Sequence, residues 1–455
     1  MPSRDQSELV FEPNPDNINN HGISAVGANP ELCIKAAESS AKAFVTWKES
    51  SLSERRTCFL TLAQLLRQRY DEIHTLIQQE ILCTAAWARI NVLDSIAIAE
   101  QCAAGITAGF LSGTVPTISD TEAHAMVIKE PLGVVLAIAP WNAPLILGLR
   151  AVAAAVAAGN TAILKGSEIS PRTHFFVAKL FQDAGFPAGV VNFIQHRPQD
   201  ASDCFEAMIS HHAVKKCNFT GSTPVGRHIA QRAAFYLKPV TLELGGKNFV
   251  IVTEDADLEK AVDQVLLGAF LNSGQICMST DLVLVARAVD KEFRNLLRQK
   301  LPMASEHVVE TINAASRSRI QAHVKDAIVK GACSFSDDKE SLIILGDVSK
   351  QMDFWKAEAF GPLLGLAVYD LDQEAISLVN ESSYGLSAAV HSRSHLKALK
   401  ISKQLQVGAV HVNSATVHDE HTLPHGGRKE SGWGRFGAHW GFEEFLQTKT
   451  IILHP

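Results

Sequence analysis

The run Gly133-Val-Val-Leu-Ala-Ile-Ala139 is apolar at every position and is stopped by Pro140. A strand with one wet face alternates polar and apolar residues, whereas an unbroken run requires cover on both faces. The run is far too short to span a bilayer, so it predicts a central strand of a parallel sheet sandwiched between helices. The chain beyond it repeats that texture. An Ala-rich helix over Leu147–Ala158 is followed by strands at Thr161–Leu164, Val190–Ile194, Lys216–Thr220 and Val240–Leu244, with helices after Pro171 and from about Pro224. A second series runs through Phe249–Thr253, a helix Leu258–Phe270, Leu282–Ala286, helices from Asp290 and over Ser316–Gly331, and strands near Leu342–Leu345, Gly365–Tyr369, Ser387–His391 and Ala409–Val412. Repeated β-α-β units of this length predict an α/β protein with two doubly wound parallel sheets.

Upstream, residues 1–30 are rich in Pro, Asn and Gly and read as surface chain. Helical spacing then begins at Pro30, near Ser53, near Tyr70 and over Ala85–Gly109, and Thr114–Lys129 changes to short β-like segments. The tail Thr448–His454 is β-like and must pair with something; a partner subunit is the candidate.

Composition narrows the function. Acidic residues exceed basic ones for a net charge of −6, and there is no Lys/Arg-rich run, which argues against nucleic acid or an anionic membrane as partner. The first residues lack the apolar core of a signal peptide. None of the eight cysteines forms a Cys-x-x-Cys pair, so no metal site is expected, and scattered thiols predict a reducing, cytoplasmic location.

One of those thiols sits in Leu271-Asn-Ser-Gly-Gln-Ile-Cys-Met-Ser-Thr280, behind an apolar stretch. Upstream, Val240-Thr-Leu-Glu-Leu-Gly-Gly246 sets Glu243 between two leucines before two glycines. Cys277 and Glu243 suit a nucleophile and its base, although taken singly they read as a buried thiol and an acid at a strand end. Four other stretches suit a dinucleotide. Phe219–Gly226 is a strand–glycine–helix turn with Pro224 early in the helix, which lets a helix N-terminus meet a pyrophosphate; it is not Gly-x-Gly-x-x-Gly. Lys165-Gly-Ser-Glu168 follows a strand, where a cation and a carboxylate can hold ribose hydroxyls or form a solvated pair. Pro140-Trp-Asn-Ala-Pro144 fixes an amide at a strand end, and Ala359-Phe-Gly-Pro362 after Glu358 caps a ring or simply turns the chain.

Together these pieces resemble the aldehyde dehydrogenase superfamily over nearly the whole chain. In order they are Pro140-Trp-Asn142, Gly159-Asn-Thr-Ala-Ile-Leu-Lys165, Phe219-Thr-Gly-Ser222, Leu242-Glu-Leu-Gly-Gly246, Gly274-Gln-Ile-Cys277, Glu358-Ala-Phe-Gly-Pro362, Asn380 with Tyr384-Gly-Leu386, and Pro424-His-Gly-Gly427 with Ser431-Gly432. The resemblance implies a Rossmann-like NAD-binding domain (1–112 and 132–243), a catalytic domain (244–430) and a small β oligomerisation arm (113–131 and 440–455) that would build a homodimer or homotetramer. It implies that Cys277 attacks an aldehyde carbonyl to give a thiohemiacetal. Asn142 and the Cys277 backbone N–H form the oxyanion hole, and Glu243 activates the water that hydrolyses the later thioester. Ile138, Trp141, Lys165, Ser167, Glu168, Gly221, Ser222, Val225, Leu244, Glu358 and Phe360 would bind the cofactor. A carboxylate at Glu168 favours NAD over NADP.

Within the superfamily the chain is most similar to the salicylaldehyde and vanillin dehydrogenase group, on Thr84-Ala-Ala-Trp87, Leu145-Ile-Leu-Gly-Leu-Arg150, Gln275-Ile-Cys-Met-Ser279 and Thr416-Val-His-Asp-Glu420. That implies an aromatic aldehyde substrate, with the Trp87 indole against its ring and the Arg150 guanidinium near a phenolic oxygen; ordinary packing and a surface ion pair are the competing readings. The chain also departs from the family. Many members carry lysine at Ala151, so any proton relay through it is missing or rerouted, and many carry a second acid at Phe436, which leaves Glu243 as the clearer base. Gly166 replaces a usual proline, which should loosen the ribose loop. His425 and Arg428 should make the tunnel more polar, and the segment around 303–318 is compressed. Two alternatives stand beside the main reading. One is an aliphatic or semialdehyde dehydrogenase, or a tailoring enzyme on a larger metabolite; the other is a non-catalytic member with a binding role.

Overall fold

The computed structural model describes residues 10–11, 25–304, 308–335 and 342–455. Most of the surface chain expected at residues 1–30, and residues 305–307 of the compressed segment, lie outside them.

A short antiparallel pair, β1 (Val10–Phe11) with β2 (Ala25–Val26), leads into four helices: α1 (Pro30–Trp47), α2 (Leu52–Gln68), α3 (Tyr70–Ile81) and α4 (Ala85–Thr107). Their starts are chemically marked. Asn29 accepts from the Leu32 N–H with Pro30 at the first helical position, and Ser51 with Glu54 closes a capping box.

The apolar run becomes β4 (Val134–Ile138), buried at all five residues. It pairs in parallel with β5 (Thr161–Lys165) on one side and β7 (Val214–Thr220) on the other, while β6 (Val191–Ile194) and β8 (Val240–Glu243) extend the two flanks. The order β8-β7-β4-β5-β6 puts a topological switch point between β4 and β7. Ligands of open sheets bind outside the carboxyl ends of strands at such a point. A second sheet runs β11 (Cys333–Ser334), β12 (Ile343–Gly346), β13 (Leu363–Tyr369), β10 (Thr280–Ala286), β9 (Asn248–Val252), β15 (Ser387–His391) and β16 (Ala409–Val412). All its pairings are parallel except the antiparallel edge strand β11. Two further short pairs stitch the chain: β14 (Tyr384–Gly385) with β17 (Arg428–Lys429), and β18 (Gly432–Trp433), which returns to the first sheet beside β8.

Three expectations are corrected. The helix after β4, α5 (Pro144–Ala157), begins three residues before Leu147, because Pro144 supplies a ready-made first position. The tail does not wait for a partner subunit. As β19 (Leu446–Leu453) it pairs residue for residue with β3 (His124–Pro131) of the same chain. A strand of matching length on the same chain satisfies the backbone without the entropy cost of association. Finally, Gly166 is no slack point, because a Cβ there would lie 2.7 Å from His174 Cβ and 2.8 Å from the Phe193 ring. The Ser167 N–H donates to His174 Nδ1 at 3.0 Å and Gln195 Nε2 donates to the Ser167 carbonyl at 3.3 Å, so the loop is pinned.

Candidate active site

Helix α9 (Leu258–Phe270) is stopped by a tight turn in which Asn272 and Ser273 take left-handed conformations at φ 49° and 56°. Non-glycine residues occupy that region only when their surroundings hold them there. Here Ser273 Oγ and the Val309 backbone exchange hydrogen bonds at 2.7 and 2.8 Å, and the Gln275 side chain bridges Asn272 and Ile312. The chain then delivers Cys277 just before β10. Asn248, on the neighbouring strand β9, holds it in place: Nδ2 donates to the carbonyls of Cys277 (2.8 Å) and Ser279 (2.9 Å), and Oδ1 accepts from the Ser387 N–H. Beneath the loop passes Gly246, where a Cβ would lie 2.5 Å from the Cys277 carbonyl oxygen. That close approach excludes any larger residue.

Glu243 ends β8 and points at this loop. Cys277 Sγ donates to its Oε1 at 3.2 Å, and Thr220 Oγ1 donates to its Oε2 at 3.3 Å. The carboxylate is almost wholly buried and is held by charge: His425 Nε2 lies 3.1 Å from Oε1 and Arg150 Nη1 3.8 Å from Oε2. Burial alone would raise its pKa, but His425 and Arg150, with the Cys277 hydrogen bond, bring it down to about 2. Burial and the adjacent Glu243 push the Cys277 thiol well above its ordinary value. The resting pair is therefore a thiol donating to a carboxylate, the arrangement from which a proton transfer to Glu243 would generate a thiolate nucleophile.

Asn142 follows β4. Its Nδ2 donates to the Gln275 carbonyl at 3.0 Å, beside the thiol loop, and its own carbonyl accepts from the Trp87 indole at 2.8 Å. Trp87 is thus a buried brace for the Asn142 backbone. Arg150, on α5, is neither exposed nor unpaired. Its Nη2 contacts Asp419 Oδ2, and burial, which would lower its pKa, is outweighed by Asp419 and Glu243. Sequence reasoning gave no role to Asn248 or Asp419; a polar Asn248 opening the otherwise apolar strand Phe249–Val252 was the signal for the first.

Of the residues expected to bind cofactor, those of the first sheet stand at the carboxyl ends of its strands, on both sides of the switch point. Ile138 ends β4, and Lys165 ends β5 with its Nζ 3.5 Å from Glu168 Oε2. Gly221 and Ser222 lead from β7 into α8 (Thr223–Phe235), with Val225 half exposed on its first turn. Leu244 follows β8 and fills the space beside Gly226. At the other end, the Trp141 and Phe360 rings meet edge to face with centroids 5.9 Å apart. Glu358 accepts the Gly246 N–H at 3.2 Å, and its enclosure raises its pKa to about 8.

Comparison with known proteins agrees with this geometry. The model of the aldehyde dehydrogenase family matches residues 10–451. The chain is 39% identical over 444 residues to a vanillin dehydrogenase of a Pseudomonas species, covering 95% of this chain and 92% of the relative. It is 36% identical over 436 residues to a salicylaldehyde dehydrogenase of Pseudomonas putida, covering 93% and 90%. The crystal structure of a salicylaldehyde dehydrogenase from Pseudomonas putida G7 complexed with salicylaldehyde superposes with a TM-score of 0.92 at 35% identity, covering 95% of this chain and 92% of that one. A betaine aldehyde dehydrogenase from Staphylococcus aureus in complex with NAD+ superposes at 0.88 with 28% identity, covering 94% and 88%. A thiol–carboxylate pair beside a doubly wound sheet, matched from end to end, places the chain in the aldehyde dehydrogenase family, whose members are oxidoreductases of aldehydes using a nicotinamide dinucleotide.

Proposed function

We propose that the chain oxidises aromatic aldehydes, of the salicylaldehyde or benzaldehyde kind, to carboxylic acids with NAD. The observation that carries the chemistry is the 3.2 Å contact between Cys277 Sγ and the buried Glu243 carboxylate. Cys277 passes its proton to Glu243 and attacks the carbonyl carbon. The developing oxyanion is met by the Asn142 amide and the Cys277 N–H. A nicotinamide dinucleotide held by the crevice residues would supply the hydride acceptor, and Cys277 would then carry a thioester. Glu243 then takes a proton from the water that hydrolyses it. Cys277→Ala should abolish NADH formation, and Glu243→Gln should give a burst followed by slow turnover; full turnover by either variant would remove that residue from its role.

The cofactor crevice fits a dinucleotide. Helix α8 starts at Ser222 with no side chain capping it, so its first-turn N–H groups are available to a pyrophosphate. Residues 1–112 and 132–243 form the NAD-binding domain and 244–430 the catalytic domain in this reading. Glu168, beside Lys165, would accept the ribose hydroxyls and repel a 2′-phosphate. Glu168→Gln should therefore raise kcat/KM with NADP relative to NAD, by about tenfold for a change worth 1.4 kcal/mol. An unchanged ratio would place the discrimination elsewhere.

Aromatic selectivity rests on the vanillin and salicylaldehyde relatives. The competing semialdehyde reading has support in a succinate semialdehyde dehydrogenase of Acinetobacter baylyi at 31% identity. Side-by-side kinetics with benzaldehyde, salicylaldehyde and straight-chain aldehydes decide between them. The paired strands β3 and β19 are the surface through which we expect a dimer or tetramer. The eight cysteines, all unpaired, support a reducing, cytoplasmic setting.

A further inference from the structure

Deepening that reading of Cys277 and Glu243, we propose that His425, braced by Asp419, is the proton exit of Glu243: it receives the proton the carboxylate collects and passes one on toward solvent through Asp419.

The need follows from proton counting. Attack on the aldehyde forms the C–S bond and moves the thiol proton to Glu243. Hydride transfer to the nicotinamide leaves the thioester. Glu243 must then lose that proton before it can take another from water, as the C–O bond forms and the C–S bond breaks. The departing thiolate reclaims the second proton from Glu243, and the carboxylic acid releases its own in solution. One proton per turnover must therefore leave a carboxylate that is 1% exposed.

Positions 151 and 436 offer no route, because alanine and phenylalanine carry no proton. Phe436 instead exchanges two backbone hydrogen bonds of 2.8 Å with His425 and fixes its place. His425 is the group that bridges outward. Nε2 lies 3.1 Å from Glu243 Oε1, and Nδ1 lies 3.4 Å from Asp419 Oδ1. Arg150 spans the same two carboxylates from the other side, closing a ring of four charges. Asp419 lines a largely apolar cavity together with Arg150, Glu420, His421, His425 and Phe436, and the Glu420 and His421 side chains there are about one-third exposed. Nε2 sits off the hydrogen-bond axis to Glu243, so transfer requires a small reorientation of the ring or the carboxylate.

The relay has a protonation requirement. The two carboxylates hold His425 up to about 9 against burial and Arg150. His411 also faces this cluster from β16, and Asp94 faces Asp419 and Arg150 from α4. A charged imidazole cannot accept a proton. In its neutral form Nε2 takes the Glu243 proton while the Nδ1 proton leaves by way of Asp419. Against burial, Arg150 and His425 hold Asp419 well below the usual carboxylate range, so that it hands the proton on to solvent, and the imidazole returns to its first tautomer before the next turnover. Thioester hydrolysis should therefore speed up as pH rises through the titration of His425.

The test separates acylation from hydrolysis. His425→Gln keeps a polar side chain in the site but one that neither accepts nor releases a proton near neutral pH. With benzaldehyde and NAD it should still release a burst of about one NADH per active site, then turn over about 100-fold more slowly with the alkaline rise lost. Added imidazole should restore turnover to His425→Ala, with a pH dependence following imidazole itself. Wild-type turnover and pH profile in His425→Gln would overturn the proposal. So would a parallel loss of burst and turnover with no imidazole rescue, which would make His425 a packing residue. If the unmodified protein makes no NADH at all, the reading of Cys277 falls and the relay falls with it.

Discussion

At the residue scale, charge inside the site governs stability and chemistry in opposite directions. Glu243 has its pKa lowered to about 2 from an ordinary 4.5 once the opposing burial is outweighed by His425 and Arg150, so its contribution is complete above 4.5 and lost as pH falls toward 2. His425 is raised to about 9 from an ordinary 6.5, so its contribution is complete below 6.5 and lost as pH rises through 9. These groups together predict a Tm that is highest between 4.5 and 6.5 and declines on the alkaline side. His425→Phe should lower Tm overall and flatten that decline, as thermal melts across pH would show; an unchanged alkaline slope would mean that His425 is neutral in the folded protein. Glu243, the thiol and Arg150 were legible as residue types, and Asp419 was not. Their closure into a ring was not, because Glu243, Arg150 and the Asp419–His425 loop are remote from one another in sequence and meet only where β8, α5 and the loop after β16 converge.

At the element scale, the strands were the most legible part. Unbroken apolar runs such as Val134–Ile138 and Leu282–Ala286, too short to cross a bilayer, have one physical solution, burial between layers of helix. Helix starts carrying Pro, such as Pro30 and Pro171, were readable, whereas the start of α2 was set at Ser53 and not at its Ser51–Glu54 capping box, and the start of α5 was misplaced because Pro144 was read as part of the preceding turn. The glycines after β8 had a visible signature without a visible reason. Gly246 is required because the backbone passes under the Cys277 carbonyl, with room for a hydrogen only. Gly246→Ala should therefore displace the Cys277 loop. We expect kcat to fall by at least about tenfold while Tm drops by no more than a few degrees, the scale of a kcal/mol-sized strain. An enzyme that loses stability without losing kcat would show that the loop relaxes as a unit.

At the scale of the whole molecule, the site lies between two sheets, with Glu243 at the carboxyl end of a strand in the first and Cys277 just before a strand of the second. Neither sheet contains it alone. The last element follows the same logic of returning chain: β19 crosses back to β3 and covers a strand that precedes the entire first sheet. Removing residues 446–455 should leave His124–Pro131 unpaired along one edge. We expect sedimentation to show a changed assembly state or aggregation, and a truncated protein indistinguishable from the parent would mean that β3 is satisfied without its partner. The sequence by itself determined the layered α/β architecture and the order of its strands along the chain, because hydrophobic periodicity and turn chemistry are local, and its family motifs singled out Cys277, Glu243 and Asn142 as the candidates for thiol, carboxylate and amide. Only the tertiary structure decided that the tail pairs within its own chain and that Trp87 braces Asn142. It alone placed a histidine and an arginine around the Glu243 carboxylate, since contacts between remote segments are selected by packing, and no local pattern records which buried charge will face which.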